Sequence, residues 1–359
     1  LNEPDSAEAA PIHSHLKTVT DADKALWQRI KQGGLLFEKE DRGFGQMVGD
    51  LIWQRDPYIA RQRKVNNTLR TQHGAQQRSV TTRDGEEIAA LVRKVDNAKI
   101  TLVIVTGYFA HQTPSKEWSG PLYGLFDDCN IISFDWRSSG QSTGKFSHNA
   151  IYDVRAMLDV CKTDEHLKKS KVVLMSFCLG GALALEALHP LIHEKSPLLP
   201  DAFVMSCTPS VIADMRQKDR AVPLAPNKVI KGAASIGFVR RFLINYFLDP
   251  TIQGLEPVHQ LPELPIPICF EQCAHKDPAV PMPDLYNNYH AARNAPVRHV
   301  IVSEPAKHVR LYKEMPAQYR QAHLSFFHKA GLIDTATYED MQAHQVLTQN
   351  SHQLQTKLQ

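Results

Sequence analysis

The chain has no long apolar run. None of its stretches approaches the ~20 residues a bilayer-spanning helix needs, so no transmembrane segment is expected. Nor does it carry much net charge: 41 Lys and Arg against 38 Asp and Glu leave +3 with histidine neutral. That is too little to point to nucleic acid as the main partner. No internal repeat is evident, which argues against a solenoid. Residues 1–15 lack a basic-then-apolar leader layout, and the expected compartment is the cytoplasm. The first residue is Leu1, so a targeting segment removed earlier stays compatible with this reading. Six cysteines (Cys129, Cys161, Cys178, Cys207, Cys269, Cys273) lie scattered through 359 residues. That is not a disulfide framework; it suits free thiols in a reducing compartment. Cys269 and Cys273 sit four apart, but no matching Cys/His pair accompanies them. No metal and no cofactor are therefore expected.

What is present is a 43% apolar composition, near the globular average and enough for a sizeable core. From residue 77 onward, short apolar runs recur. Residues 78–82 and 88–95 alternate around Asp84-Gly85, a hairpin signal. Residues 100–105, ITLVIV, form a continuous apolar run suited to a strand buried on both faces. Similar runs lie at 130–134, 172–175, 202–205, 266–270 and 299–302. Helical spacing occupies 151–167, 179–189, 283–293 and 315–330. Strands alternating with helices predict an α/β architecture with a mostly parallel sheet.

Three regions stand apart. Residues 1–76 read as a flexible start followed by a helical extension over about 21–32 and 46–70. Residues 208–265 contain no clear strand and read as a cap over the strand ends, because a structureless loop of that length is rare. Within that interval, 230–248 is amphipathic, with Arg240 and Arg241 in its middle. Residues 334–359 are a polar, Gln-rich tail, either an exposed helix or disordered. The main domain is expected over 77–333.

The most informative stretch is KVVLMSFCLGGALALEAL at 171–188. An apolar strand leads into Ser176-Phe177-Cys178-Leu179-Gly180-Gly181, and an alanine- and leucine-rich helix follows directly. This is the layout of a nucleophile elbow, usually written G-x-S-x-G. Cys178 stands at its apex. Centring the turn on Ser176 instead would put bulky Leu174 at a small-residue position, so Cys178 is the better candidate. The alternative is a buried structural thiol.

On these residues the chain resembles the α/β-hydrolase superfamily over about 78–332. The segment FDWRSSGQS at 134–142 is similar to the D-x-R-G-x-G-x-S segment that follows the family's fourth strand, with Ser138 in place of its first glycine. The elbow departs from the family pattern at Ser176 and at the apex, where Cys178 resembles the cysteine of dienelactone-hydrolase-like elbows. The resemblance implies a triad in the order nucleophile, acid, histidine: Cys178, Asp277 in HKDPAVP, and His308 in EPAKHVRLY. His275 is a rival too close to the acid, His299 lies within a strand, and Asp201 precedes the cap. The implied oxyanion hole takes one backbone N–H from Leu179. The other comes from the loop after residue 105, where Gly107 permits the turn and either Tyr108 or Phe109 donates.

The implied activity is acyl-enzyme formation on an ester, lactone or thioester, including a CoA or carrier-protein thioester. Hydrolysis and transfer to an amine or hydroxyl stay open, as do a polyester-synthase-like activity and the oligomeric state. An alternative of another class is a catalytically silent member of the fold used for binding.

Overall fold

A computed structural model describes residues 69–107, 115–137, 139–144, 146–212, 252, 254–273, 277, 280–303, 306 and 308–344. The first expected N-terminal helix, the second up to residue 68, the amphipathic 230–248 segment, Tyr108, Phe109 and the tail beyond residue 344 lie outside these residues, while 69–73 are helical.

Eight strands form one sheet: β1 (Gln76–Thr81), β2 (Glu87–Arg93), β3 (Ile100–Val105), β4 (Asn130–Phe134), β5 (Lys171–Phe177), β6 (Ala202–Ser206), β7 (Ile268–Cys273) and β8 (Arg298–Ser303). Their spatial order is β1-β2-β4-β3-β5-β6-β7-β8. The β1–β2 hairpin joins β4 antiparallel, and every pairing from β4 through β8 is parallel. The chain is therefore an α/β-hydrolase fold with a mostly parallel sheet flanked by helices.

The central strands β3, β4 and β6 are buried along their whole length, which is why they read as unbroken apolar runs. At the edge, β1 alternates between exposed and half-buried positions and reads as a one-sided strand. Parallel strands need crossovers. Residues Ile151–Thr163 and Leu179–His193 supply two of them as α-helices, and the second begins directly after Cys178.

One crossover was not expected from the sequence. A helix spans Ser115–Leu125 between β3 and β4 although Gly120, Pro121 and Gly124 interrupt it. Proline removes a ladder hydrogen bond and glycine weakens a helix, so local propensity hides it. Tertiary contacts outweigh that cost: Leu122, Tyr123 and Phe126 are fully buried. The Arg93 guanidinium also donates to the carbonyls of Tyr123, Phe126 and Cys129 at and just past the helix end. A buried cation there satisfies carbonyls that would otherwise lack partners.

The chain leaves and re-enters the domain at one place around the interval expected to be a cap. The Ile212 amide donates to the Leu255 carbonyl at 3.1 Å, and the Val258 amide donates to Ser210 at 3.2 Å. The exit is pinned further by Asp284, whose Oδ1 accepts from the Ser210 amide at 2.9 Å. Part of the polar tail is ordered: residues 335–344 form a helix, Met341 is buried, and its carbonyl accepts from Arg320 at 3.2 Å.

Candidate active site

The strand ends bring the chemistry together. Cys178 follows β5 at once, Asp277 follows β7, and His308 follows β8. In open α/β sheets the carboxyl ends of parallel strands are where ligands bind.

The elbow is sharp. Cys178 has φ 52° and ψ −129° and stands as the N-cap of helix Leu179–His193. A positive φ is uncommon outside glycine and persists where the surroundings over-determine it. Those surroundings are visible. The Cys178 amide donates to the Ser206 carbonyl at 2.8 Å. Ser176, at the position where the family pattern has glycine, is fully buried and donates its hydroxyl to the Val204 carbonyl at 2.8 Å. A serine fits there because the neighbouring strand supplies an acceptor.

Two glycines permit close approach. A Cβ on Gly180 would fall 2.4 Å from the Thr106 carbonyl oxygen, and one on Gly107 would fall 3.1 Å from Cys178 Cβ. The elbow and the start of the loop after β3 are thus in contact, while Gly181 faces the Thr208 side chain. Leu179 is buried at the first position of the helix. Tyr108 and Phe109, the two expected second oxyanion donors, lie outside the described residues.

His308 Nδ1 lies 2.6 Å from Asp277 Oδ2. The Asp277 carboxylate has no exposed side-chain surface, whereas the His308 side chain keeps 20% of its own. The other carboxylate oxygen accepts from the Val280 amide at 2.9 Å, and the Gln272 amide lies 3.4 Å from Oδ2. Burial opposes a charge on His308, but the Asp277 carboxylate and then Cys178 more than offset it, through charge and hydrogen bonds to both side chains. The imidazole is held well above the ordinary histidine range. Cys178 thus stands beside this imidazole and at the N-terminus of the following helix.

The sequence reading passed over Cys207. It follows β6 immediately, has φ 45°, and is fully buried with Sγ 3.6 Å from Cys273 Sγ. Burial, the first cause, pushes its thiol well above the usual range, so it is an inert neighbour. Nothing in its local sequence distinguishes it from the other buried cysteines. Of the rivals considered, His299 lies within β8 and Asp201 binds Lys171 and the Val172 amide at the far end of the sheet. His275 lies outside the described residues.

The segment after β4 is structural. Asp153, fully buried, accepts from Arg137 Nε and from the Arg137 amide, both at 2.9 Å, and Arg137 also grips Asp84 in the β1–β2 turn at 2.7 and 3.0 Å. Arg137 therefore ties the FDWRSSGQS loop to the hairpin.

Residues 102–340 match the model of the alpha/beta hydrolase family. The chain belongs to that family. A curated relative, the alpha/beta hydrolase domain-containing protein aho-3 of Caenorhabditis elegans, is 28% identical over 103 residues. That match spans 28% of this chain and 30% of the relative's length. Among solved structures, esterase Pf2001 of Pyrococcus furiosus superposes with a TM-score of 0.56 at 16% identity, covering 71% of this hydrolase and 91% of the esterase. The proline iminopeptidase of Mycobacterium smegmatis superposes at 0.50 with 14% identity, covering 72% of this chain and 99% of its own. These structural likenesses are to the fold alone. Among the described residues of this hydrolase, no helix is long and apolar enough to cross a membrane.

Proposed function

We propose that this α/β hydrolase works through a Cys178–His308–Asp277 triad, forming an acyl-enzyme on an ester or thioester and releasing the acid to water. The observation that carries the reading is His308, hydrogen-bonded to Asp277 at 2.6 Å and close enough to Cys178 to feel its charge, with Cys178 at the positive-φ apex of the elbow.

In this scheme the Cys178 thiolate attacks the acyl carbonyl carbon. Backbone N–H groups of Leu179 and of residue 108 or 109 meet the oxyanion. As it collapses, the bond from the acyl carbon to the leaving oxygen or sulfur breaks, and the His308 imidazolium gives its proton to that atom. His308, now neutral, takes a proton from water while the water oxygen attacks the thioester carbonyl. The Cys178 thiolate then leaves and the acid is free. Asp277 keeps the imidazole oriented and stabilises its charged form throughout.

Thioesters, including those of CoA or a carrier protein, and activated esters fit best, because their leaving groups need little help compared with an amide nitrogen. The 208–265 interval serves as the cap that shapes the acyl site. Six free thiols fit a reducing compartment.

The test is intact-mass measurement of the full chain after brief exposure to a panel of acyl thioesters and aryl esters, with product acid measured in parallel. Expected is one acyl adduct on Cys178 that decays with release of acid, absent in Cys178→Ala and strongly slowed in His308→Ala. An adduct of equal yield in Cys178→Ala, or turnover unaffected by His308→Ala, would overturn the reading. Adding amines or alcohols to the same reaction separates hydrolysis from transfer by the product formed.

A further inference from the structure

The helix that begins at the elbow carries a second cluster at its other end. His189 and His193 are four residues apart in the last turns of helix Leu179–His193, a spacing that puts both imidazoles on one face. Glu263 closes the short 3₁₀ helix Leu261–Glu263, which precedes β7. Its Oε2 lies 3.1 Å from His189 Nε2 and 3.1 Å from His193 Nε2. The two Nε2 atoms lie 3.4 Å from each other. Three potential ligand atoms thus form a nearly equilateral triangle.

We propose that His189, His193 and Glu263 bind a single Zn²⁺-type divalent cation. Zinc takes imidazole nitrogen at about 2.0–2.1 Å and carboxylate oxygen at about 2.0–2.2 Å in tetrahedral geometry, so ligand atoms of such a site stand about 3.3–3.4 Å apart. The observed 3.4 Å edge fits that spacing and the two 3.1 Å edges fall about 0.2–0.3 Å short of it. A cation at zinc's bond length from all three atoms sits about 0.8 Å out of their plane. Hydrogen bonding accounts for the triangle less well. One carboxylate oxygen has lone pairs enough to accept from both rings, but two Nε2–H donors then face each other at 3.4 Å. A cation bound by all three atoms takes both Nε2 atoms unprotonated and removes that contact.

The chemistry of the donor set is specific. Two imidazoles and one carboxylate suit zinc, and copper(II) or nickel(II) in the usual order of affinity, in preference to calcium or magnesium. The three side chains keep 33%, 61% and 45% of their surface exposed. A fourth position is therefore open to water. At about 1.5 Å of rise per residue, the cluster stands some 16–22 Å along the helix from Cys178, so the cation takes no part in the reaction. Its effect is mechanical: it fastens the helix that presents Cys178 to the segment leading into β7, after which Asp277 follows. The site is independent of the catalytic proposal.

Among the described residues, two other groupings contain possible metal ligands, Cys207–Cys273–Asp277 and Cys269–Glu271–His323. All six of those residues are buried, and each grouping contains thiol sulfur, which gives the test a way to tell the sites apart.

The experiment uses the full chain, stripped with a chelator and titrated with Zn²⁺ against a chromophoric competitor, then with Co²⁺ as a spectroscopic probe. Expected is one equivalent bound per chain, an affinity weakened by about 10–100-fold or more in His193→Gln and in Glu263→Gln, and a Zn²⁺-dependent rise in melting temperature lost in both. The Co²⁺ complex should show no thiolate-to-metal charge-transfer band. Melting in chelator should be the same for wild type and both variants, which keeps a folding defect from imitating the result. Absence of binding, an affinity unchanged by either substitution, or a thiolate charge-transfer band would each overturn the proposal.

Discussion

Cys178 and Cys207 directly follow neighbouring parallel strands, and both have positive φ, 52° and 45°. Each amide is held by the next strand over: Cys178 by the Ser206 carbonyl and Cys207 by that of Glu271, both at 2.8 Å. Only the first opens a long helix. Burial pushes the thiols of Cys129, Cys207 and Cys269 well above the usual range and that of Cys161 up to about 12. Cys178 keeps a little exposure while the other five cysteines are fully buried, so a thiol-directed electrophile at neutral pH should modify Cys178 first, with the other five silent until the chain unfolds. Peptide mapping after a short exposure checks this; early label on Cys207 would refute it.

Gly180 has no room for a side chain. The added methyl of Gly180→Ala would meet the Thr106 carbonyl at 2.4 Å, pushing the elbow away from the loop after β3. A displacement of about 1 Å at a reacting centre can cost about 10²-fold in rate. Acyl-enzyme formation should fall by about that factor in this variant, as single-turnover mass measurement would read.

Arg137 is a structural anchor. Replacing it with methionine leaves Asp153 fully buried and without its main partner, and burial, which already raises its carboxyl to about 6, then drives it toward the protonated form. Breaking a buried pair from one side costs about 3–5 kcal/mol. Urea unfolding of Arg137→Met should show a loss of that order. A double change that also makes Asp153 leucine should recover part of it, since no unpartnered buried carboxyl remains.

The Asp277–His308 contact has a pH signature. Although burial opposes the charge, Asp277 and Cys178 raise the folded-state pKa of His308 well above the ordinary value of 6.5. The stabilisation from this pair is then full below about 6.5 and is lost as pH rises through the raised folded value. The stability gap between wild type and Asp277→Asn, measured by denaturant unfolding across pH, should be widest on the acid and neutral side and shrink on the alkaline side.

His299 should act in the opposite sense. Burial first, then the positive charges of Lys329 and His323, lower it to about 4; its ring stacks on Phe326. The unfolded chain takes up a proton near 6.5 while the folded chain resists until about 4. Stability is therefore unaffected above 6.5 and falls progressively between those values, by on the order of 2–3 kcal/mol. His299→Gln should flatten that acid limb in thermal melts taken from pH 7 to 4.

Much of this arrangement is readable in the residues because local and global demands agree. The β3 run ITLVIV is apolar throughout because both faces are covered, and the turn around Cys178 declares itself by small residues between a strand and an Ala/Leu helix. The order of Asp277 and His308 behind β7 and β8 follows from topology. What was not readable depends on contacts between distant segments. The helix over Ser115–Leu125 contains glycine and proline and exists through burial and the Arg93 cap. Cys207 looks like any core cysteine until β6 lies beside β5 and β7. Glu263 shows no relation to His189 and His193 until the chain returns from the 208–265 interval.

The parallel sheet also sets an order of events during synthesis. Cys178, Asp277 and His308 follow β5, β7 and β8, and β8 pairs only with β7, at the edge of the sheet. Non-local pairings of this kind form slowly. A growing chain can complete β5 and its turn while the imidazole is still unmade, leaving the thiol without its charged partner. Under the proposed triad, Cys178 gains its base only once β8 has docked, so reactivity toward acyl donors is expected to report closure of the whole sheet.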